Sequence, residues 1–186
     1  AGFQLKVVKQ APQSNFIQCS FDLALTKPGA YSINVLSDKV LVAAKDPSGV
    51  FYAVQSLLQL LPSAIESDRL VANQQWAMPV VSIQDAPAFE YRGLMMDVAR
   101  HFQPISFLKK LVDLMAMQKM NRLHLHLVDD QGWRIEIKAF PELTKVGARR
   151  GHPFNKTDYL QPAYGSGPSP DDKNSFGNGY YSQDDF

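Results

Sequence analysis

The chemistry-bearing groups of this chain concentrate in one run, Arg122-Leu123-His124-Leu125-His126-Leu127-Val128-Asp129-Asp130-Gln131-Gly132-Trp133-Arg134. Polar and apolar residues alternate as on a strand, and two adjacent carboxylates stand where that strand ends. An earlier apolar run, Tyr91 to Ala99, closes in the same way on Arg100-His101, and Arg100 precedes Asp129 by 29 residues. That interval is about one strand–helix–strand repeat, so the two groups occupy equivalent places on adjacent parallel strands. In α/β barrels and open parallel sheets, functional groups gather at the carboxyl ends of strands. Arginine offers a planar fork of donors suited to sugar hydroxyls or a carboxylate. An aspartate there can orient a histidine or stay ionised beside a developing cation.

Plainer readings fit the same residues. An arginine and an aspartate at strand ends also form ordinary surface ion pairs, contributing roughly 0–1 kcal/mol. His124 and His126 share a strand face, but a metal site needs three or four ligands, and hydrogen-bonded interior histidines are the expectation. Trp133 reads first as a packing residue and second as a sugar platform. Met95, Met96, Met115, Met117 and Met120 follow strand and helix spacing and read as core filler.

The elements that position these groups fall into two units. Residues 1 to about 45 read as strands: Phe3 to Val7, Cys19 to Leu25, then Tyr31 to Val35 and Val40 to Ala44 around the hairpin residues Ser37-Asp38-Lys39. Lys27-Pro28-Gly29 is a turn signal, with glycine accepting a positive φ. Asp46-Pro47 opens a helix whose buried face is expected to carry Val50, Phe51, Val54, Leu57, Leu58 and Leu61, and Pro62 ends it. Val80 to Ile83 adds a strand before Asp85-Ala86-Pro87. This is a small α+β domain, antiparallel sheet with helix, over 1–84. From 85 a strand at 91–99 is apolar on both parities, as in a parallel sheet covered by helices. A helix over 106–119 is expected to bury Leu108, Leu111, Val112 and Met115, with Asn121 as its left-handed terminator, and a second strand spans 122–128. From Gly151 the chain is rich in proline and glycine and reads as an irregular surface loop.

Composition narrows the classes. The chain has 186 residues, 45% apolar and 20% charged, with a net charge of +1. A core is within reach, and no basic stripe favours nucleic acid. No apolar run approaches the roughly 18–20 residues of a membrane span. Ala1-Gly2-Phe3 shows no charged region ahead of an apolar one, so a signal peptide is absent or already removed. The single cysteine, Cys19, excludes an internal disulfide without fixing the compartment, and a buried thiol is expected.

The stretch from Asp85 to Ala148 resembles the start of the catalytic barrel of glycoside hydrolase family 20, the β-N-acetylhexosaminidases, and its wording is closest to bacterial chitobiase-like members. The resemblance is carried by Asp85-Ala86-Pro87-Ala88-Phe89-Glu90-Tyr91-Arg92-Gly93-Leu94-Met95-Met96-Asp97-Val98-Ala99-Arg100-His101-Phe102, by Met120 through Arg134, and by Phe140-Pro141-Glu142-Leu143-Thr144. Gly49 to Ala53 and Gln59 to Pro62 are similar to the α/β domain that precedes the barrel. The fold implied is the small domain followed by the first two or three strand–helix units of an incomplete TIM barrel, over 85–186. The activity implied is removal of a terminal non-reducing N-acetylhexosamine by a retaining, substrate-assisted route, outside the two-carboxylate scheme. Arg100 matches the arginine that binds the sugar's hydroxyls. Asp129 matches the aspartate that supports the general-acid glutamate through a later histidine, and Arg92 a recurrent arginine read as structural. Strand parity points the other way: along an ideal strand Asp130, not Asp129, shares a face with His124 and His126, unless a bulge or turn intervenes.

The resemblance calls for no metal and no cofactor. The family's adjacent Asp-Glu pair has no counterpart in these residues, so the chain by itself is expected to be inactive, a fragment or truncated product. A non-catalytic carbohydrate-binding or assembly module is the alternative. The partner expected is an N-acetylhexosamine-terminated oligosaccharide, with self-association through exposed barrel edges. By family analogy alone, a periplasmic or secreted setting is suggested.

Overall fold

The computed structural model describes residues 6–10, 12–149 and 177–186. The expected strand over 3–7 and the loop reading of 151–176 lie largely outside the described residues. The chain divides into two compact units, Ala1–Glu90 and Tyr91–Phe186.

The first unit is a four-stranded sheet with one helix. Strands β1 (Phe16–Phe21), β2 (Tyr31–Val35), β3 (Lys39–Ala44) and β4 (Val81–Asp85) lie in the order β1-β3-β2-β4. The β2–β3 hairpin forms as expected, and β2 also pairs antiparallel with β4. β1, however, runs parallel to β3. The sheet is therefore mixed rather than wholly antiparallel, because β1 joins beyond β3 instead of folding back onto β2. Gly29 takes the positive φ its turn requires, +74°.

Helix α1 (Pro47–Leu60) starts where the proline predicts. Asp46 accepts the Gly49 N–H through Oδ1 and the Gly29 N–H through Oδ2, both at 2.9 Å, tying the helix start to the turn. These two bonds hold the Asp46 carboxyl below its ordinary 3.8. The buried face differs from expectation: Gly49, Tyr52, Ala53, Ser56 and Leu57 face the sheet, whereas Phe51, Val54 and Leu58 are exposed. Close approach explains the difference. A Cβ on Gly49 would stand 2.5 Å from the Ala30 carbonyl oxygen, so small residues mark the contact. Tyr31 Oη meets Ser56 Oγ at 2.6 Å and donates to Asp85 at 2.7 Å, which satisfies the polar atoms of this interface. The core is Tyr31, Ile33, Val35, Val40, Val42 and Ala44 against Tyr52, Ala53 and Leu57. Edge strand β1 carries Cys19, which is exposed and not buried as expected.

The second unit opens with β5 (Gly93–Asp97), α2 (Ile105–Met117) and β6 (Arg122–His126). β5 and β6 pair in parallel, Gly93 opposite Arg122 through Asp97 opposite His126. One face of the pair, with Met96 and Leu125, packs on a cluster centred on Val98, Leu108 and Tyr181. The other face is open: Met95 is 55% exposed, not core filler, and His124 is exposed. Val112 on α2 is likewise exposed, while Leu108 and Met115 are buried.

α2 ends at Met117, and Lys119, with φ +56°, takes the left-handed position expected for Asn121. Asn121 is used differently. Its Oδ1 accepts the Arg92 N–H at 3.0 Å and its own N–H donates to the Arg92 carbonyl at 2.9 Å, joining the starts of the two strands. Arg92 Nε donates to the Lys119 carbonyl at 2.8 Å, a structural role.

At the opposite end the chain is gathered by Arg134, whose side chain is fully buried. Its guanidinium donates to the carbonyls of Val98 (3.0 Å), Ala99 (2.9 Å), Ala148 (2.8 Å) and Gly179 (3.1 Å). Gly132 makes room for it: a Cβ there would sit 2.5 Å from Arg134 Nη2. A buried cation gains most from such charge-assisted bonds, and deleting it leaves carbonyls unsatisfied. Arg134→Leu is expected to lower the unfolding free energy by about 3 kcal/mol or more, read by urea denaturation followed through tryptophan fluorescence.

Candidate active site

Asp97 and His126 end adjacent strands and face each other in register. Three residues beyond each, the chain turns back and presents Arg100 and Asp129. Asp97 anchors the first turn twice: Oδ1 accepts the Arg100 N–H at 3.1 Å and Oδ2 accepts Arg100 Nη1 at 3.0 Å. Arg100 Nη2 lies 2.8 Å from Asp129 Oδ2. His126 Nε2 lies 2.8 Å from the same carboxylate oxygen and 3.0 Å from Arg100 Nη1. The expected pair, Arg100 and Asp129, is thus in direct contact at the carboxyl ends of two parallel strands.

The parity conflict resolves in favour of Asp129. β6 stops at His126; after Leu127 the chain enters a short antiparallel ladder, β7 (Val128–Asp129) with β8 (Gly132–Trp133). Leaving the sheet resets which way side chains point, and Asp129 comes round to the His126 side. Its Oδ1 accepts the Asp130 N–H at 2.8 Å, so both of its oxygens are engaged.

These neighbours hold the Asp129 carboxyl well below 3.8, at about 2. Asp130 does most, first through its side chain and then its backbone N–H; the His126 ring follows, partial desolvation opposes, and the Arg100 charge adds to the lowering. Asp129 is therefore an anion at any ordinary pH, a fixed acceptor that can hold a donor N–H in place. Arg100 is a cation half open to solvent, with 45% of its side chain exposed, as a group that meets a polar ligand must be.

Sequence reasoning missed Asp97 and gave His126 no part in the site. A signal was present: Asp97-x-x-Arg100 and His126-x-x-Asp129 repeat one spacing 29 residues apart, so placing one member of each pair places the other. His124 stays apart and is exposed, and among the described residues no group of three or more His, Cys, Asp or Glu could hold a metal. Trp133 is half-buried and donates from Nε1 to the Ile135 carbonyl at 2.7 Å, a packing role that leaves part of the indole on an open groove of about 580 Å³ with Asp129, Asp130, Phe140 and Leu143. α3 (Glu142–Lys145) forms one wall of that groove.

Comparison with known proteins fixes the lineage. Residues 89–186 match the model of the glycosyl hydrolase family 20 catalytic domain, and residues 1–86 match domain 2 of the same family. The chain belongs to glycosyl hydrolase family 20. It is 44% identical over 170 residues to N,N'-diacetylchitobiase of Vibrio harveyi, covering 91% of this chain and 18% of the relative. A β-hexosaminidase of Porphyromonas gingivalis is 45% identical over 144 residues, 77% of this chain and 18% of the relative. Among solved structures, the family 20 exo-β-N-acetylglucosaminidase of Vibrio harveyi with bound N-acetylglucosamine superimposes with a TM-score of 0.70 at 35% identity, covering 91% of this chain and 24% of that one. The β-N-acetylhexosaminidase of Streptomyces coelicolor gives 0.72 at 30% identity, with 91% and 30% coverage. The chain spans about a fifth of the length of the curated relatives named here. Within the family fold it comprises the small sheet domain and the first strand–helix units of the barrel.

The depressed Asp129 titration has a direction in pH. A carboxyl whose folded value is below its unfolded one contributes stability that is complete above about pH 4 and is lost as pH falls towards the folded value of about 2. A carbon-detected NMR titration is expected to place the Asp129 carboxyl near 2, and Asp129→Asn to flatten that part of the stability–pH curve. A midpoint near 4 would contradict the hydrogen bonding described.

Proposed function

We propose that this chain is part of a glycosidase that removes a terminal, non-reducing N-acetylhexosamine, GlcNAc or GalNAc, from oligosaccharides such as chitobiose. Residues 1–84 form its non-catalytic domain, and residues 85–186 begin its catalytic barrel. The observation that carries this reading is the Arg100–Asp129 contact, 2.8 Å, at the open carboxyl ends of β5 and β6. It stands where barrel enzymes keep their chemistry, in a chain whose relatives bear the names chitobiase and β-hexosaminidase.

Arg100 binds the sugar's hydroxyls through its donor fork. Asp129, ionised and held from three sides, orients a histidine contributed by later parts of the whole protein, and that histidine supports the general-acid glutamate. The acetamido oxygen of the substrate attacks the anomeric carbon as the acid protonates the departing glycosidic oxygen. Water then opens the cyclic intermediate with net retention. Nothing in this route calls for a metal or another cofactor. The acid and its neighbouring aspartate have no counterpart in these residues.

Purified as the 186-residue chain, the protein is expected to leave a chromogenic N-acetylglucosaminide intact. In the whole protein, Arg100→Ala is expected to raise KM for the same substrate, and Asp129→Ala to lower kcat. Turnover by the 186-residue chain, or unchanged kinetics in both variants, would defeat the reading.

We also propose that the chain alone self-associates. Met95 on the open sheet face and Phe107, Val112 and Leu114 on α2 are exposed, and such surfaces on an unpaired sheet edge seek cover. Light scattering at micromolar concentration is expected to show dimers or larger species; a clean monomer would refute this.

A further inference from the structure

His126 stands between the two groups assigned to the sugar site, and one of its atoms meets both. Nε2 is 2.8 Å from Asp129 Oδ2 and 3.0 Å from Arg100 Nη1. A single ring nitrogen cannot donate to the carboxylate and accept from the guanidinium at once. Arg100 already has a carboxylate at each terminal nitrogen, Asp97 at 3.0 Å from Nη1 and Asp129 at 2.8 Å from Nη2. An imidazole acceptor adds little to a guanidinium so placed. Asp129 has the opposite need: a bare Nε2 would set its lone pair against the carboxylate at 2.8 Å, whereas an N–H there makes a charge-assisted bond.

We propose that His126 is a positioning residue whose Nε2–H donates to Asp129 and, with Asp97 bracing Arg100, holds the aspartate in the one orientation the site uses. The proposal rests on the reading that Arg100 and Asp129 serve the sugar site. The need for positioning follows from exposure. The Asp129 side chain is 26% exposed at the end of a two-residue strand, where a carboxylate would otherwise sample several rotamers. The Asp130 N–H fixes Oδ1 and the His126 ring fixes Oδ2. Outer-shell partners that orient a metal ligand are worth about 10- to 100-fold in affinity or activity, and a partner that orients a supporting carboxylate is expected to act on the same scale. The charged groups facing the ring are Asp97 across the strand pair, Arg100 on the turn after β5, and Asp129 on β7. The Asp129 carboxylate, in contact with Nε2, favours an N–H directed at it.

The tautomer is the direct test. In the 186-residue chain, long-range ¹⁵N–¹H correlation above the histidine titration range is expected to show Nε2 of His126 protonated and Nδ1 bare. A ring protonated at Nδ1, with Nε2 accepting from Arg100, would overturn the proposal. The kinetic test uses the whole protein. His126→Leu, which keeps the bulk and removes both nitrogens, is expected to lower kcat by about 10- to 100-fold with KM nearly unchanged. His126→Gln, whose amide N–H reaches a similar place, is expected to recover most of that loss. Full activity in His126→Leu, or equal losses in the two variants, would overturn the proposal by reducing the ring to a packing role. A whole protein that hydrolyses no N-acetylhexosaminide would sink the sugar reading instead, and the tautomer result would still decide the role of His126.

Discussion

The parallel register of β5 against β6 is the constraint from which the candidate site follows. With Asp97 set opposite His126, the turn over 98–100 and the short strand β7 after Leu127 need only three residues each to bring Arg100 and Asp129 together. A slip of one residue would send one of the two facing groups to the opposite face of the sheet, because side chains alternate along a strand. Register is in turn held at the far end by the reciprocal bonds between Arg92 and Asn121, the residues just before the two strands.

A two-stranded sheet is marginal in water without further support. Here α2 covers one face, and the buried Arg134 guanidinium collects four carbonyls from the turn after β5, from Ala148 and from Gly179. The turn carrying Arg100 is therefore fixed by a cation beneath it and by the Asp97 carboxylate beside it. Rigid support under a solvent-open cluster suits a binding site, since the cost of ordering its groups is met before a ligand arrives. The opposite face, with Met95 and His124, is open.

Much of this was legible in the sequence, and the exceptions share a cause. Strands β2 and β3, the start of α1 and the strand–helix–strand unit follow from alternation, proline and turn residues, all of which act over a few neighbours. The buried face of α1 did not, because its contact is made by Gly49, Ala53, Tyr52 and Ser56, and apolar size is no guide where backbones approach closely. Cys19 is exposed because β1 is an edge strand, a fact about sheet order that alternation does not encode. Lys119 took the left-handed position expected of Asn121, and Asn121 instead pairs with Arg92, far away along the chain.

The sequence by itself pointed to the family, the two-part organisation and the placing of Arg100 and Asp129 at the ends of adjacent strands, since the relevant residue types recur at local and repeat-length spacings. Tertiary structure supplied the turn that carries Asp129 rather than Asp130 to the His126 side, and the contacts through which Asp97 and His126, hinted at by the repeated spacing, join the cluster. The reason is physical. Where a side chain points after a strand ends depends on the partner its backbone takes next, here the Gly132–Trp133 ladder. Which groups become neighbours depends on a register between strands separated by a helix, and neither is written in the order of adjacent residues.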